Sequence, residues 1–430
     1  SSTKYSAEVQ DPESLSEVIT NAMRTATSGK NGASFISIPQ DVISSPVKAD
    51  AISLCQKPHL GVPSEQEINE VIEAIKNSKF PVLLAGMRSS SQAETEAIRR
   101  LVQKTNLPVV ETFQGAGVIS RELENHFFGR VGLFRNQVGD ELLRKSDLVI
   151  TIGYDPIEYE ASNWNKELDT KIINVDEEHA EITNYMQPVK ELIGNIASTI
   201  DMISEHVNEP FINQDHLDEL EKLRGEIIEA TGIKATHKEG VMHPVEIIET
   251  MQKVLTDDTT VTVDVGSHYI WMARKYRSYN PRHLLFSNGM QTLGVALPWA
   301  ISAALVRPNT QVVSVAGDGG FLFSGQELET AVRKNLNIIQ LIWNDGRYNM
   351  VEFQEEMKYK RSAGVEFGPV DYVKYAESFG AKGLRVTNQE ELEAALKEGY
   401  ETDGPVLIDI PVNYADNVKL STNMLPNALN

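Results

Sequence analysis

Between Val312 and Val351 the chain reads VVSVAGDGGFLFSGQELETAVRKNLNIIQLIWNDGRYNMV, and this stretch constrains the fold more than any other. It holds two apolar runs rich in β-branched residues, Val312–Val315 and Ile338–Trp343, and neither alternates with polar residues. Strands apolar on both faces belong in a parallel sheet covered by helices on each side. Between the runs, Gln326 to Lys334 has helical spacing, with Leu328, Ala331 and Val332 on one face. The unit is β-α-β. Each strand ends in a glycine-bearing turn that carries an acid, Gly317-Asp318-Gly319-Gly320 after the first and Asn344-Asp345-Gly346 after the second. In open α/β sheets, ligands bind at that carboxyl edge.

Asp318 and Asp345 lie 27 residues apart (345 − 318), a spacing that brings them to neighbouring strand ends. Two such carboxylates can converge on one hard cation. Mg²⁺ takes one or two protein carboxylates and fills its octahedron with phosphate oxygens and water. The glycines let the backbone approach a ligand closely, and N–H groups at a turn or helix start cradle a diphosphate. The competing reading is that Gly-Asp-Gly only caps a helix and Asn-Asp-Gly only makes a turn. Each turn alone fits that; the pair at adjacent strands favours the cation.

At 430 residues the chain has room for two or three domains with real cores. Its 40 basic and 61 acidic residues give a net charge of −21, which argues against nucleic acid and anionic membrane as partners. A small anionic ligand needs only local positive charge, so the global sign does not exclude one. A lone Cys55 rules out an internal disulfide and fits a reducing compartment. No apolar run is long enough to span a bilayer, and SSTKYSAEV is not a signal peptide, so the expected place is the cytoplasm.

Taken in order, Leu15 to Ala26 is predicted helical and Ala33–Ile38 a strand ending at Pro39. A helix at Glu390–Tyr400 and the segment Gly404–Pro411 repeat that pattern near the other end, so residues 1–45 read as the tail of a domain like the last one. Ser44–Pro63 reads as a linker. Helices at Glu65–Asn77, Gln92–Thr105 and Gly139–Lys145 alternate with strands at Pro81–Ala85, Leu107–Thr112, Leu148–Ile152 and Ile172–Asp176. That alternation predicts an α/β, doubly wound parallel sheet over residues 60–205. Asp176 stands where a ribose-binding acid would, but no G-x-G-x-x-G precedes it. Residues 206–240 are polar and charged, with a helical segment at Leu217–Ala230, and read as a connector. In the last domain, residues 241–430, a helix runs from His243-Pro244 to Val254 and a strand from Thr260 to Val265. Gly266-Ser267-His268 then forms a small polar turn, with Trp271, Tyr276 and Tyr279 as packing residues. Phe286 to Pro298 is apolar and punctuated by glycine, leads into a helix at Trp299–Val306, and on a packing reading puts Met290 and Leu293 in the core.

The Gly-Asp-Gly turn followed at this distance by Asn-Asp-Gly resembles the diphosphate motif of thiamin-diphosphate enzymes. Through GDGGFLFSGQELETAVR, SNGMQTLGVALPWA and IGYDPIEY the chain resembles most closely the catabolic, FAD-independent acetolactate synthases, and the likeness covers nearly its whole length. The resemblance implies the thiamin-diphosphate-binding fold, doubly wound parallel sheets flanked by helices. It also implies thiamin diphosphate and Mg²⁺ as cofactors, no FAD, and pyruvate as substrate. Asp318 and Asp345 would bind Mg²⁺ by side chain and Arg347 by its main-chain oxygen, with Asn344 the alternative ligand. Val265, Gly266, Ser267, His268, Gly317, Gly319, Gly320, Tyr348 and Asn349 would surround the cofactor, and Met350 and Val351 would start a helix beside its reactive carbon. Leu293 would be the apolar wedge that bends the cofactor, and the main-chain oxygen of Gln291 would accept from its 4′-amino group. Gln354 stands where biosynthetic relatives carry a tryptophan that selects 2-ketobutyrate, which points to pyruvate alone.

Two departures stand out. The family more often has Asn where Asp345 stands, which adds a negative charge beside the diphosphate. The activating glutamate, supplied in the family by the first, pyrimidine-binding domain of a neighbouring subunit, has no match in this chain. That domain is expected to precede Ser1, and the site to lie at the interface of a homodimer or homotetramer. Other readings stay open: a pyruvate oxidase or decarboxylase, a non-catalytic cofactor-binding fragment awaiting a partner domain, or a plain nucleotide-binding α/β protein.

Overall fold

The computed structural model describes residues 2–53, 59–133 and 136–422, with the backbone alone at 230, 231, 421 and 422. Cys55 lies outside the described residues, as does part of the expected linker. Strands β1 (Tyr5–Glu8) and β2 (Ser34–Ser37) pair in parallel and are joined through the helix Leu15–Ala26. A second sheet is built from β3 (Pro81–Ala85), β4 (Val109–Thr112), β5 (Phe127–Val131), β6 (Leu148–Ile152), β7 (Lys171–Asp176) and β8 (Lys190–Ile193). A third holds β9 (Thr260–Val263), β10 (Leu284–Phe286), β11 (Val312–Gly317), β12 (Ile338–Asn344), β13 (Lys382–Arg385) and β14 (Val406–Pro411).

The second sheet is ordered β5-β4-β3-β6-β7-β8 and the third β10-β9-β11-β12-β14-β13, with every pairing parallel. The expected α/β, doubly wound architecture is therefore the one observed, and each sheet has a point where strand order reverses. β3, β6 and β14 are buried at every position, as strands covered on both faces must be. The helices begin and end where local chemistry directs. Ser64 and Glu67 form a capping box ahead of Glu65–Lys76, and Asn106, at φ +59°, closes Gln92–Thr105 in the left-handed conformation.

β5 and β8 escape the sequence pattern because they are edge strands carrying charge, Arg130 in one and Lys190 and Glu191 in the other. The stretch 206–240 is more than a connector. Its helix, Gln214–Thr231, buries Leu220 in the same cluster as Val82 and Leu84 of the second sheet. The helix expected over Gln326–Lys334 opens as a 3₁₀ turn, Gly325–Glu327, before Leu328–Arg333. Among the described residues no helix is long and apolar enough to cross a membrane.

Candidate cofactor and metal site

β9, β11 and β12 lie side by side, and the third sheet reverses its strand order next to β9. Their carboxyl ends open into a cavity of about 320 Å³. After β9 its wall is Val265, Gly266, Ser267 and His268; after β11 it is Gly317, Asp318, Gly319 and Gly320. After β12 come Asp345, Arg347, Tyr348, Asn349, Met350, Val351 and Gln354, and the loop before the helix Ala296–Val306 adds Gln291 and Leu293. Apart from Asn344, the alternative ligand, the residues expected at the site from sequence all line this one cavity. A larger cavity, about 500 Å³, is lined by Met87, Phe286, Trp299, Val306 and others but has no carboxylate in its wall. Chemistry, rather than size, selects the smaller one.

The register pairs Gly317 with Trp343, which sets the two acidic turns next to each other. Asp318 is buried and fixed by three backbone donors. Gly319 N–H donates to Oδ1 at 2.8 Å, while Asp345 N–H and Gly346 N–H donate to Oδ2 at 3.1 and 2.6 Å. Burial nevertheless pushes its pKa up to about 6. Asp345 rises to about 7, through burial first and the Asp318 charge second. Arg347, the cation that acts on Asp345, is itself committed to Glu352 and to Glu366. Two half-compensated carboxylates at one sheet edge suit a small divalent ion. Among the described residues no three His, Cys, Asp or Glu side chains converge as a metal set. An ion held by this pair would draw its remaining ligands from neutral oxygens of the main chain or of amide side chains, from phosphate and from water, which is the habit of Mg²⁺. Asn344, the alternative ligand, turns away: its Nδ2 donates to Asp409 Oδ1 at 2.9 Å.

The remaining wall suits a diphosphate. A Cβ on Gly319 would sit 2.5 Å from the Tyr348 ring, so glycine there lets the ring pack directly on the turn and form one side of the wall. His268 does not lie in a turn as expected; it is fully buried in the first turn of the helix Ser267–Lys275. Its Nε2 has no hydrogen-bond partner among the described residues, and burial pushes its pKa down to about 3. The ring is neutral at physiological pH and carries a single N–H, so Nε2 donates to a phosphate oxygen only in the tautomer that holds the proton there. Leu293 is half-buried in the cavity wall, whereas Met290 is 90% exposed, which overturns the core reading for that residue. Gln291 has φ +48°, a left-handed conformation rare for a side-chain-bearing residue outside functional turns.

Sequence reasoning passed over several residues that hold the site. Asp264, buried at the end of β9, accepts from Val265 N–H at 2.7 Å and from Gly294 N–H at 3.0 Å, tying the β9 turn to the Leu293 loop. It carries the same signal as the other two acids, a carboxylate closing an apolar strand. Asn417 Nδ2 donates to Ser267 Oγ and to Asn349 Oδ1, and Asn349 Nδ2 donates to Asp345 Oδ2 at 2.7 Å. Trp343 and Tyr414 complete the wall.

Residues 264–410 match the family described as thiamine pyrophosphate enzyme, C-terminal TPP binding domain, and residues 68–203 match the thiamine pyrophosphate enzyme central domain. Thiamine pyrophosphate and thiamin diphosphate are the same compound. The chain is 48% identical to the acetolactate synthase of Bacillus subtilis over 424 residues, 99% of this chain and 74% of that one. It is 42% identical to the catabolic acetolactate synthase of Raoultella terrigena over 420 residues, 96% of this chain and 74% of that one. A probable acetolactate synthase large subunit of Methanococcus aeolicus is 28% identical over 95% of this chain and 72% of its own length. With both thiamine pyrophosphate domains matched and these identities across nearly its full length, the chain belongs to the thiamin-diphosphate-dependent acetolactate synthases of the catabolic type.

Proposed function

We propose that the chain joins two pyruvates into 2-acetolactate with release of CO₂, its thiamin diphosphate tethered through Mg²⁺. The observation that carries this reading is the acid pair, Asp318 and Asp345, held side by side at the carboxyl ends of β11 and β12. Asp318, Asp345 and the main-chain oxygen of Arg347 would hold the ion. When bound, the cofactor supplies the nucleophilic carbon and the electron sink for loss of CO₂. The protein's part is to bind, bend and shield. Gly266, Ser267, His268, Gly317, Gly319, Gly320, Tyr348 and Asn349 take the diphosphate, with the neutral His268 adding no charge. Leu293 separates the two rings, and the Gln291 carbonyl accepts from the aminopyrimidine. Val265, Met350 and Val351 exclude water, and Gln354 faces the second pyruvate.

Both carboxylates in the cavity wall are assigned to the metal. We therefore assign activation of the cofactor to an acid from a neighbouring subunit, in a homodimer or homotetramer with the site at its interface. Exposed apolar side chains around the cavity, Met290, Phe323 and Val351, support such a covering. We propose no flavin on the second sheet. In support, Asp176 is buried against Arg88, which donates from Nε and Nη2 to its two oxygens at 2.8 and 2.6 Å. We read residues 1–45 as the tail of a first domain, 60–205 as the central domain and 241–430 as the diphosphate domain, in a cytoplasmic enzyme.

The test is acetolactate formation from pyruvate with Mg²⁺ and thiamin diphosphate, by this chain and by a form extended at its N-terminus. Acetolactate from either form, abolished by Asp318→Asn, is expected. Consumption of pyruvate without acetolactate in both forms overturns the reading.

A further inference from the structure

The helix Ser267–Lys275 begins at the cofactor cavity and ends at a second cavity of about 370 Å³. This one is walled by β5, by the helix Gln214–Thr231 and by the last turn of Ser267–Lys275. Four cations line it, Arg130, Arg224, Arg274 and Lys275, against one carboxylate, Glu124. That excess runs against a net charge of −21. Glu124 is already engaged, since Arg277 donates to its two oxygens at 3.1 and 2.8 Å.

Arg274 and Lys275 alone are accounted for by their place in a last helical turn, where cations offset the helix dipole. Arg130 is not. Its side chain is 2% exposed. Nη1 donates to the main-chain oxygens of Ala273 and Tyr276 at 3.0 and 2.7 Å, and Nε reaches Glu111 at 3.4 Å. Nη2 has no partner among the described residues. A buried guanidinium with an unmet N–H group is costly unless an acceptor arrives. Arg224 comes from a separate element, with Nη1 donating to Phe127 O at 3.2 Å, Nη2 donating to the exposed Glu221 at 3.1 Å and the guanidinium lying over the Phe128 ring. Cations from three elements around one space suit a compact acceptor with oxygens on several sides.

We propose that this cavity binds a small oxyanion of the phosphate class, at a site separate from that of the cofactor diphosphate. Trp271 lines the cavity and reports its occupancy.

The chain, saturated with Mg²⁺ and thiamin diphosphate so that the first cavity is filled, is titrated with inorganic phosphate at constant ionic strength. Tryptophan fluorescence and calorimetry follow the titration. Saturable binding of one phosphate per chain is expected, weakened about tenfold or more by Arg224→Gln with Lys275→Gln. Should the double variant not fold, Lys275→Gln alone, at an exposed position, must weaken binding several-fold. Glycerol phosphate runs in parallel: tighter binding assigns the site to a phosphate ester, equal or weaker binding to free phosphate. Absence of saturation, or binding that the folded variants leave untouched, overturns the proposal.

Discussion

The backbone N–H of Asp345 donates to Oδ2 of Asp318 at 3.1 Å, so the turn that carries one acid anchors the other while the two charges repel. The pair is strained toward protonation without a cation and relaxed by one. Asp345→Asn should therefore move two quantities in opposite directions. Measured without metal near neutral pH, stability should rise by about 1 kcal/mol, seen as a thermal midpoint a few degrees higher, because a half-buried, repelled charge is gone. Mg²⁺ affinity in the presence of thiamin diphosphate should fall about tenfold, measured by titration, because one anionic ligand is lost. A variant that loses stability and keeps its metal affinity would remove Asp345 from the ion.

The same pair fixes a pH dependence. Asp318 and Asp345 have folded pKa values raised to about 6 and about 7, above the ordinary aspartate value of 3.8. A protonated carboxyl does not ligate, so metal affinity is full above the higher value and falls as pH drops through it. The two acids titrate as a coupled pair, and the loss should steepen toward about two protons per metal below pH ~6. For the apo protein the sign reverses. Raised folded pKa values favour the protonated fold, so stability from these groups declines as pH rises from about 4 to about 7. Calorimetric metal titrations and apo melting curves across pH 5–8 should show opposite slopes; parallel slopes would refute the assignment.

Leu293 is half-buried on a loop pinned by the Gly294 N–H to Asp264. If it is the wedge that bends the cofactor, what matters is apolar bulk at that point. Leu293→Ala should lower kcat about 10- to 100-fold with a thermal midpoint within a few degrees of the parent, since the residue is only partly in the core. Leu293→Met, which conserves volume, should recover most of the rate. An alanine variant with unchanged kcat would leave Leu293 a packing residue.

How much of this was legible beforehand follows from where information sits in the chain. The unit from β11 to β12 was readable because two uninterrupted apolar runs admit few folds and their turns keep the acids in local sequence. Once parallel register pairs Gly317 with Trp343, Asp318 and Asp345 must meet. Asp264 was equally readable and was passed over, because no glycine pair follows it. Asn417 and Tyr414 were not readable, since they reach the site through a helix and a loop far along the chain whose local patterns are unremarkable. Met290 misled in the other direction: an apolar residue in an apolar loop reads as core, yet among the described residues it stays 90% exposed.

Asn417 joins these threads. Its Nδ2 donates to Ser267 Oγ at 2.8 Å and to Asn349 Oδ1 at 2.5 Å, and its Oδ1 accepts from Trp271 Nε1 at 2.7 Å. Asn349 in turn donates to Asp345, so one buried amide sets the orientation of a metal-site carboxylate. Asn417→Ala strands the buried Trp271 N–H and leaves Asn349 Oδ1 with the Ser267 hydroxyl, at 2.8 Å, in place of two donors. Leaving a buried donor unmet costs about 1–3 kcal/mol, which denaturant unfolding would record as a lower midpoint with an unchanged slope. The same change should weaken Mg²⁺ several-fold, the usual order for losing a residue that orients a ligand. Asn417→Asp separates the two effects. Its carboxylate still accepts from Trp271 but cannot donate to Asn349, so stability should recover in part while metal affinity stays low. Should Asn417→Asp bind Mg²⁺ like the parent, the amide chain from Asn417 to Asp345 does not orient the acid.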